Sequence, residues 1–274
     1  MNLSVDFAQP AFVDACIIRF YSFAICLTSL EYFAIIKQFG KEGIYSWEMM
    51  RLSVNRKINK LGVHHFFNKT GVIIILLMRL ICGIYLLVVP ESIVSSYALA
   101  LIVITSLMLS IRNTIGNDGS DQMSVILGIS LLISAVFNDI RIKELSLYFI
   151  ATQSILSYVI AGIAKLTSKK WRSGIAIFQI MNTESFGSKK VAGYLKGAHP
   201  IAGAIAAWHI MTVEALFFMV LFLPYPYMLI FLFWGVSFHF YNAVVMGLNN
   251  FFWVFIATYP AIIYSNLILH QFFK

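Results

Sequence analysis

The sequence predicts an all-α fold, a polytopic bundle of about eight transmembrane helices in a single domain covering residues 1–274. Of these 274 residues, 60% are hydrophobic and only 12% are charged, and the mean hydropathy is +0.83. A soluble domain has too little interior to hide that much apolar surface. The apolar residues also lack the alternation of a barrel strand, and helices satisfy their own backbone hydrogen bonds in lipid. We therefore expect a multi-pass protein of the cell membrane.

Eight apolar runs are candidates to cross a hydrocarbon core about 30 Å thick. In chain order they are Phe12–Ile36, Thr70–Val89, Ile93–Ile111, Met123–Phe137, Leu145–Lys165, Ile201–Leu223, Tyr227–Met246 and Phe251–Leu269. The fourth run is the shortest of them. The connections between most of these runs are short, which favours antiparallel neighbours in one bundle.

Two connections are long enough to hold helices at the membrane surface. Lys37–Lys69 contains Trp47 and mixes apolar with basic residues, a composition that favours an amphipathic interfacial helix. Thr167–Pro200 contains the apolar segment Gly174–Met181, which is too short to cross the membrane. We expect that segment to be re-entrant or interfacial.

The net charge of +8 lies beside the spans rather than in a soluble basic patch. We therefore expect contacts with anionic lipid headgroups or with an acidic segment of a partner, and no binding of nucleic acid. The segments Lys37–Lys69 and Lys165–Pro200 each carry seven Lys or Arg residues. By the positive-inside rule these segments would face the cytoplasm, with both termini outside.

The sequence contains no signature of a metal site or of a disulfide framework. Cys16, Cys26 and Cys82 form no CxxC pair and all lie in apolar runs, so we expect buried thiols. No HExxH motif is present. The segment Asn117–Asp121 is similar to the start of a calcium loop but lacks the later bidentate glutamate, so we expect a tight polar turn.

Ionisable residues at membrane depth are costly, and they mark candidate functional sites. Arg19 and Glu31 lie too far apart on the first run to pair with each other, and Arg79 interrupts the second run. For these three residues we expect ion pairs between helices. Glu214, on the sixth run, is expected either to hold Lys165 or Arg79, or to orient a substrate.

The segment Tyr158–Gly174 ends a span in a cluster of cations around Trp171. Lys165 lies inside the last apolar turn, and Ala161 and Gly162 share its helical face. Small residues on that face let another helix or a ligand approach closely. The lysine side chain therefore either extends to the interface, as lysines at helix ends do, or stays inside as an amine that can act as a base.

Two histidines, His209 and His239, lie within the sixth and seventh apolar runs. His239 and Asn242 are three residues apart on the seventh run and therefore share one helical face. Such a pair facing the interior is suited to bind a polar ligand group or to position a proton donor. His209 lies five residues before Glu214, on a different side of the helix, and we expect it only to be hydrogen-bonded.

Two motifs together resemble the HTTM superfamily of membrane proteins, which includes the vitamin K-dependent gamma-carboxylases and the bacterial sporulation-delaying protein B group. The first motif is similar to the family's Ala-Gly-x-x-Lys-Leu followed by Trp and Gly, and it consists of Ala161, Gly162, Lys165, Leu166, Trp171 and Gly174. The second motif is similar to the family's Phe-His-x-x-Asn with a following Phe and Ala-x-x-Pro, and it consists of Phe238, His239, Asn242, Phe251, Ala257 and Pro260. The motifs cover about forty residues, whereas the likeness in organisation extends over the bundle.

The resemblance implies a reaction centre. In the carboxylase branch, the lysine that matches Lys165 is the base that deprotonates a vitamin K hydroquinone. Lys165 and His239 are therefore the predicted catalytic residues, and a quinone is the cofactor that the resemblance implies. The predicted substrate-binding residues are Asn242, Trp171, Glu214 and Asn249, the last near the position where a glycine of the family is replaced. The family also places the face of its lysine outside the cytoplasm, opposite to the charge rule.

Several features are more similar to the sporulation-delaying protein B group than to the carboxylases. The chain ends at Lys274, without the large soluble region of the carboxylases, and it carries the loop Asp118–Asp121. That group works with a partner protein in producing a secreted antimicrobial peptide. The resemblance therefore implies a bacterial integral membrane enzyme that matures a peptide or toxin precursor, together with a smaller partner protein similar to sporulation-delaying protein A.

Two alternatives to the maturation of a peptide remain open. One is a quinone-dependent membrane oxidoreductase or carboxylase, which requires an apolar slot beside Lys165. The other is a non-enzymatic immunity or transport protein, in which the polar residues only hold the bundle together. The position of Lys165 relative to His239 distinguishes the two enzymes from the non-enzymatic protein.

Overall fold

The computed structural model describes residues 6–54, 64–113, 117–197 and 200–272, and it confirms the predicted all-α fold. Eight principal helices are α1 (Pro10–Ala34), α2 (Lys69–Val88), α3 (Ile93–Arg112), α4 (Gly119–Phe137), α5 (Ile140–Thr167), α6 (Pro200–Ala215), α7 (Met228–Met246) and α8 (Asn249–Phe272). All of these except α6 are long and apolar enough to cross a membrane. The protein is therefore a helical multi-span membrane protein.

The sixth predicted span differs in structure from the single long helix that the sequence predicts. The apolar run Ile201–Leu223 does not form one long helix. It divides into α6, with 16 residues, and a short 3₁₀ helix, Phe217–Leu221. The change to the tighter 3₁₀ form is typical of a helix end, and it comes just before Pro224, which cannot continue the backbone hydrogen bonding. The division places Glu214 near the end of α6.

Side-chain caps fix the start of α4 and α5. The Asp118 carboxylate accepts the backbone N–H groups of Ser120 and Asp121, and the Asp121 carboxylate accepts the N–H of Asp118 in return. Within the described residues, the predicted polar turn is therefore a capping box, and it lengthens the short fourth run into a helix of 19 residues. Asp139 caps α5 in the same manner by accepting the N–H of Arg141.

α8 lies at the centre of the bundle, and α7 lies at its edge. α8 packs against α1, α4, α5 and α7. In the most apolar window of each helix, 61% of the residues are buried in α8 and only 22% in α7. The main core, which includes Tyr21, Leu127 and Phe255, joins α8 to the first half of the chain. Most of the surface of α7 therefore lies outside the protein interior.

The connection between α1 and α2 is a folded loop over the residues that the structure describes. In this part the connection forms short helices rather than one continuous amphipathic helix, and residues 55–63 lie outside the described residues. The chain reverses after α1, where the Tyr45 N–H donates to the Gln38 carbonyl at 3.0 Å across two glycines. Within the described residues of this connection, the short helices Trp47–Met50 and His64–Phe67 follow.

Arg112, at the end of α3, holds that loop in place. Its side chain is fully buried, and it donates to the carbonyls of Phe67 at 2.9 Å and Tyr45 at 2.6 Å. The guanidinium also lies 4.6 Å from the centre of the Phe39 ring. A buried cation thus satisfies the loop carbonyls that a continuous helix would have satisfied itself.

The connection between α5 and α6 carries the predicted short apolar segment. It forms the helix Ile175–Met181, which is about 10 Å long and packs beside α6 rather than crossing the membrane. Gly174 precedes it with φ +79°, and a side chain there would overlap the backbone of Gly203 and Ala204. The helix Lys189–Gly197 follows, with Ala192 as its buried residue, as expected for an interfacial helix.

The predicted ion pairs of Arg19, Glu31 and Arg79 are absent among the described residues. Arg79 is buried but donates to two serine hydroxyls, as described below. Glu31 instead accepts a hydrogen bond from Asn249 Nδ2 at 2.6 Å. Arg19 lies on an exposed face of α1. These interactions replace ion pairs because a hydroxyl or an amide satisfies a charged group without a second charge being desolvated.

The cysteines lie much as expected. Cys26 and Cys82 are buried, Cys16 is half-buried, and all three are free thiols. Cys26 lies where a side chain on Gly83 would be, so α1 and α2 pack closely at this point. These thiols therefore contribute to helix packing, as small apolar side chains do.

Candidate functional site

Lys165 and Glu214 form an ion pair between α5 and α6. The lysine Nζ lies 2.7 Å from Oε1 and 2.5 Å from Oε2 of the glutamate. The Lys165 side chain is 19% exposed and the Glu214 side chain only 3%. The ammonium is therefore turned into the bundle, and of the two predicted positions for Lys165 the structure has the interior one.

Gly162 lets the two helices approach closely enough for this pair. A Cβ atom at position 162 would overlap the backbone of Ala215 and the carbonyl carbon of Glu214. Only glycine therefore fits at this crossing, as the sequence indicated from the small residues on the face of Lys165. The crossing places the Glu214 carboxylate within hydrogen-bond distance of the lysine.

Trp171 covers the ammonium from the other side. It belongs to the short helix Lys169–Arg172 that follows α5. The Lys165 Nζ lies 5.3 Å from the centre of its indole ring, within the range of a cation–π interaction. The carboxylate and the ring together hold the ammonium in one position rather than letting it extend toward headgroups.

A cavity of about 620 Å³ begins at this ion pair and runs between α5 and α7. Its volume is in the usual range for a binding site of a small molecule or a peptide side chain. Apolar residues form most of the wall, including Ile126, Leu156 and Phe238. The polar groups of the wall are Lys165, Glu214, His239, Asn242, Gln122, Gln153, Ser157 and Tyr158.

The cavity opens sideways, toward the region that lipid acyl chains occupy. Leu156 is 43% exposed and Ile160 is 57% exposed, and both belong to the cavity wall and to the outer surface of α5. The opening also reaches the ends of the helices, where Gly119 begins α4 and Leu248 follows α7. An apolar or amphiphilic ligand can therefore enter from the bilayer without crossing water.

A chain of hydrogen bonds lies at the inner end of the cavity. His239 Nε2 is 2.7 Å from the Tyr158 hydroxyl, which is 2.8 Å from the hydroxyl of Tyr259. His239 is 3% exposed, and its Nδ1 has no hydrogen-bond partner among the described residues. Buried polar atoms almost always have a partner, so this unpartnered nitrogen marks His239 as a candidate to bind a ligand.

Stacked rings form one wall next to His239. The imidazole stacks on Phe255 with 4.6 Å between ring centres and 22° between planes. Phe251 continues the stack, 5.8 Å from Phe255 and within 6° of parallel. All three rings line the cavity. A flat ring or an extended apolar chain can lie against this surface with little change in the protein.

The structure brings together most of the residues predicted for the site. Lys165, Glu214, His239 and Asn242 line the same cavity, and Trp171 lies over the ammonium. His239 and Asn242 share a helical face, as predicted from their spacing.

Two other residues lie outside the cavity wall. Asn249 is bonded to Glu31 near the start of α8. His209 is exposed and only hydrogen-bonded, accepting from Trp234 Nε1 at 2.9 Å, as expected. These two side chains therefore do not share a site with Lys165.

Sequence reasoning missed the two tyrosines and the stacked phenylalanine. Tyr158, Tyr259 and Phe255 lie in apolar runs, where aromatic residues are common and carry no distinctive spacing. The available signal was Gly235, because a side chain there would overlap the Tyr259 hydroxyl and approach that of Tyr158. Glycine inside a span marks a close approach, but the sequence does not say what approaches.

Comparisons with protein-family models, with curated proteins and with solved structures each found no match. Among the described residues, no three His, Cys, Asp or Glu side chains lie close enough together to hold a metal ion. The site thus consists of an ion pair, a histidine–tyrosine chain and an apolar cavity. Groups of these types are suited to proton transfer beside an apolar or amphiphilic ligand.

Proposed function

We propose that this multi-span membrane protein is an enzyme that matures a secreted antimicrobial peptide or toxin precursor, with its reaction centre in the cavity at Lys165. The observation that supports the proposal best is the position of the Lys165–Glu214 pair, at the end of a cavity open to the bilayer. The second support is the resemblance of the two motifs to the HTTM superfamily. Its sporulation-delaying protein B group supplies the proposed substrate and the smaller partner protein.

In this proposal a proton moves within the ion pair, with Lys165 as its donor and Glu214 as its acceptor. A charged pair at a site largely removed from water is costly, so a shift of the proton from Lys165 to Glu214 is less unfavourable there than in water. The shift leaves a neutral amine that can act as a base. His239 is the second proton-transfer group, since its free Nδ1 lies at the same cavity and its Nε2 connects to the tyrosines.

The shape of the cavity supports a substrate that comes from the membrane. A hydrophobic segment of a peptide precursor is soluble in the bilayer and can reach the cavity through the side opening at Ile160. The amide groups of Asn242 and Gln153 then supply donors and acceptors for the peptide backbone. Trp171 keeps Lys165 in place during binding.

The test compares two lysines that are four residues apart in the sequence, one in α5 and one in the short helix that follows it. In cells that produce the mature peptide, Lys165→Ala should abolish it, as measured by mass spectrometry of the medium, while the protein still inserts into the membrane. Lys169→Ala removes the same charge from an exposed position and should leave the peptide unchanged. Normal maturation with Lys165→Ala would contradict the proposal and favour a non-enzymatic immunity or transport protein.

One observation favours a second candidate, a quinone-dependent oxidoreductase or carboxylase. The stacked rings of His239, Phe255 and Phe251 offer a flat apolar surface beside the polar end of the cavity. A hydroquinone ring on this surface would place a hydroxyl near a base. Solvent extraction of the purified protein, followed by chromatography, should then recover a quinone. Absence of both a bound quinone and any activity with added hydroquinone would exclude this candidate.

A further inference from the structure

A buried carboxyl group, that of Asp14, lies at the opposite end of the bundle and takes no part in the proposed reaction. Asp14, in the second turn of α1, is 1% exposed. One carboxylate oxygen, Oδ2, accepts a hydrogen bond from the Ser134 hydroxyl at 3.1 Å. The other, Oδ1, has no hydrogen-bond partner among the described residues. Burial of a carboxylate with an unsatisfied oxygen costs several kcal/mol, so this group needs a partner.

Asp14 lines a cavity of about 830 Å³. Apolar side chains such as Ile18 and Leu132 form its inner wall. Tyr97, at the outer wall, is 68% exposed on the surface of α3. The cavity therefore opens to the bilayer, as the first one does, and the carboxylate lies at its inner end. Lys143, at this end of α5, is about 33 Å along the helix from Lys165.

The charges at this cavity favour a cation. Lys143 and Glu91 also line it and form an ion pair of 3.1 Å. Because the Lys143 ammonium is already paired with Glu91, Asp14 has no ion-pair partner among the residues that the structure describes. A metal ion such as Ca²⁺ requires six or more oxygen ligands, far more than one free carboxylate oxygen supplies. A single ammonium group with an apolar tail fits both the charge and the walls.

We propose that this cavity is a binding site for an amphiphile with a primary ammonium group, which donates to Oδ1 of Asp14. The tail lies along Ile18 and Leu132 and leaves the cavity beside Tyr97. Two kinds of ligand carry such an ammonium group: an aminophospholipid such as phosphatidylethanolamine, in its headgroup, and a free long-chain amine. This site is independent of the reaction at Lys165, so its failure would leave the proposed function untouched.

The experiment measures binding of three probes to the purified full-length protein by native mass spectrometry. Dodecylamine tests the ammonium with a free amine, phosphatidylethanolamine tests it as a headgroup, and phosphatidylcholine is the control without N–H donors. The wild type should bind dodecylamine and prefer phosphatidylethanolamine to phosphatidylcholine. Asp14→Asn, which keeps the shape and the acceptor for Ser134, should weaken binding of the primary amines about tenfold or more, the usual effect of one charge-assisted hydrogen bond.

Two further variants keep the result interpretable. Asp139→Asn removes a nearby exposed charge, still caps α5, and should leave binding unchanged. Ala100→Leu fills the cavity without touching the carboxylate, so it should also weaken binding even if Asp14→Asn fails to fold. If dodecylamine binds but the two phospholipids bind equally, the site exists and its ligand is a free amine. Equal binding of all probes by wild type and Asp14→Asn, or unchanged binding by Ala100→Leu, would overturn the proposal.

Discussion

Arg79 and Lys165 are two of the cations that lie inside the bundle, and their surroundings differ. Arg79 on α2 is 4% exposed and donates to the hydroxyls of Ser106 at 2.6 Å and Ser29 at 3.3 Å. The space beside it is a polar cavity of about 20 Å³, enough for one water molecule. Lys165 instead pairs with a carboxylate at the end of a 620 Å³ cavity. The arginine donates to neutral hydroxyls and has the Asp121 carboxylate in the wall of its small cavity, whereas the lysine lies beside room for a ligand.

The difference shows why a charge at membrane depth is an incomplete signal of function. Both residues satisfy the rule that such charges are candidates for function. Arg79 on α2 donates to Ser29 on α1 and to Ser106 on α3, and the Ser29 hydroxyl donates to the Ile25 carbonyl. The arginine thus joins three helices, which is a structural role. Lys165 combines a partner that can take its proton with access from the bilayer. We therefore expect substitutions at Arg79 to affect stability, and substitutions at Lys165 to affect activity.

The largest expected effect is that of Lys165→Met. Loss of a positioned proton-transfer group should lower the rate of maturation by about 10²- to 10⁴-fold. The variant also leaves the Glu214 carboxylate buried without its partner, which should cost about 3–5 kcal/mol of stability. The double variant Lys165→Met with Glu214→Gln removes both charges and should regain most of that stability while remaining inactive. Thermal unfolding in detergent and peptide yield measure the two effects, and activity in the double variant would contradict the account.

Arg79→Met makes the same kind of change as Lys165→Met, at the buried cation to which we assign a structural role. It removes two charge-assisted hydrogen bonds to serines, and we expect a loss of about 3 kcal/mol in the free energy of unfolding. Peptide yield per folded molecule should stay at the wild-type value because the residue touches no ligand. A variant that unfolds like the wild type but makes no peptide would assign Arg79 to the reaction centre instead.

Gly162→Ala separates the ion pair without removing a charge. Its methyl group would push α5 away from the backbone of Glu214 and Ala215, at an expected cost of about 1–3 kcal/mol and with lower activity. Gly193→Ala is the matched control, because the nearest atoms to a side chain there lie beyond 4 Å. The control should gain a few tenths of a kcal/mol in helix stability. Equal effects of the two substitutions on thermal unfolding would show that the close contact at Gly162 is unimportant.

The smallest expected effect is that of Tyr158→Phe. The change deletes the hydroxyl between His239 and Tyr259 and should cost about 1 kcal/mol in stability and about tenfold in activity, the size of one lost hydrogen bond. Tyr85→Phe removes a hydroxyl bonded to Ser92 near the surface and should change neither quantity measurably. Wild-type activity in Tyr158→Phe would remove the tyrosines from the mechanism.

The fold was largely predictable because apolar length is a strong signal in a membrane protein. The positions of α1 to α5, α7 and α8 follow the apolar runs to within a few residues. The sixth run was misjudged because hydropathy records that residues are apolar and not how tightly the backbone turns. The change to a 3₁₀ helix at Phe217 depends on tertiary packing, since Phe217 and Val220 are buried against other helices.

The site was predictable only in part. Small residues around Lys165 indicated a close helix crossing, and the spacing of His239 and Asn242 indicated a shared face. The sequence did not decide whether Glu214 pairs with Lys165, pairs with Arg79 or orients a substrate, because Glu214 lies 49 positions away from Lys165 along the chain. The ion pairs expected for Arg19, Glu31 and Arg79 failed for a related reason. Serine and asparagine residues are frequent in the apolar runs, and their spacing does not identify which of them hydrogen-bonds to a charged residue on another helix.

The most direct test of the central claim blocks the cavity and leaves every charge in place. Ala161 lines the cavity, and Ala161→Phe fills part of it, whereas Ala206→Phe puts the same ring on an exposed position of α6. The measurement is the amount of mature peptide in the medium at equal amounts of membrane-inserted protein. The account predicts loss of the peptide with Ala161→Phe and a wild-type amount with Ala206→Phe. A wild-type amount with both would show that nothing reacts in the cavity at Lys165.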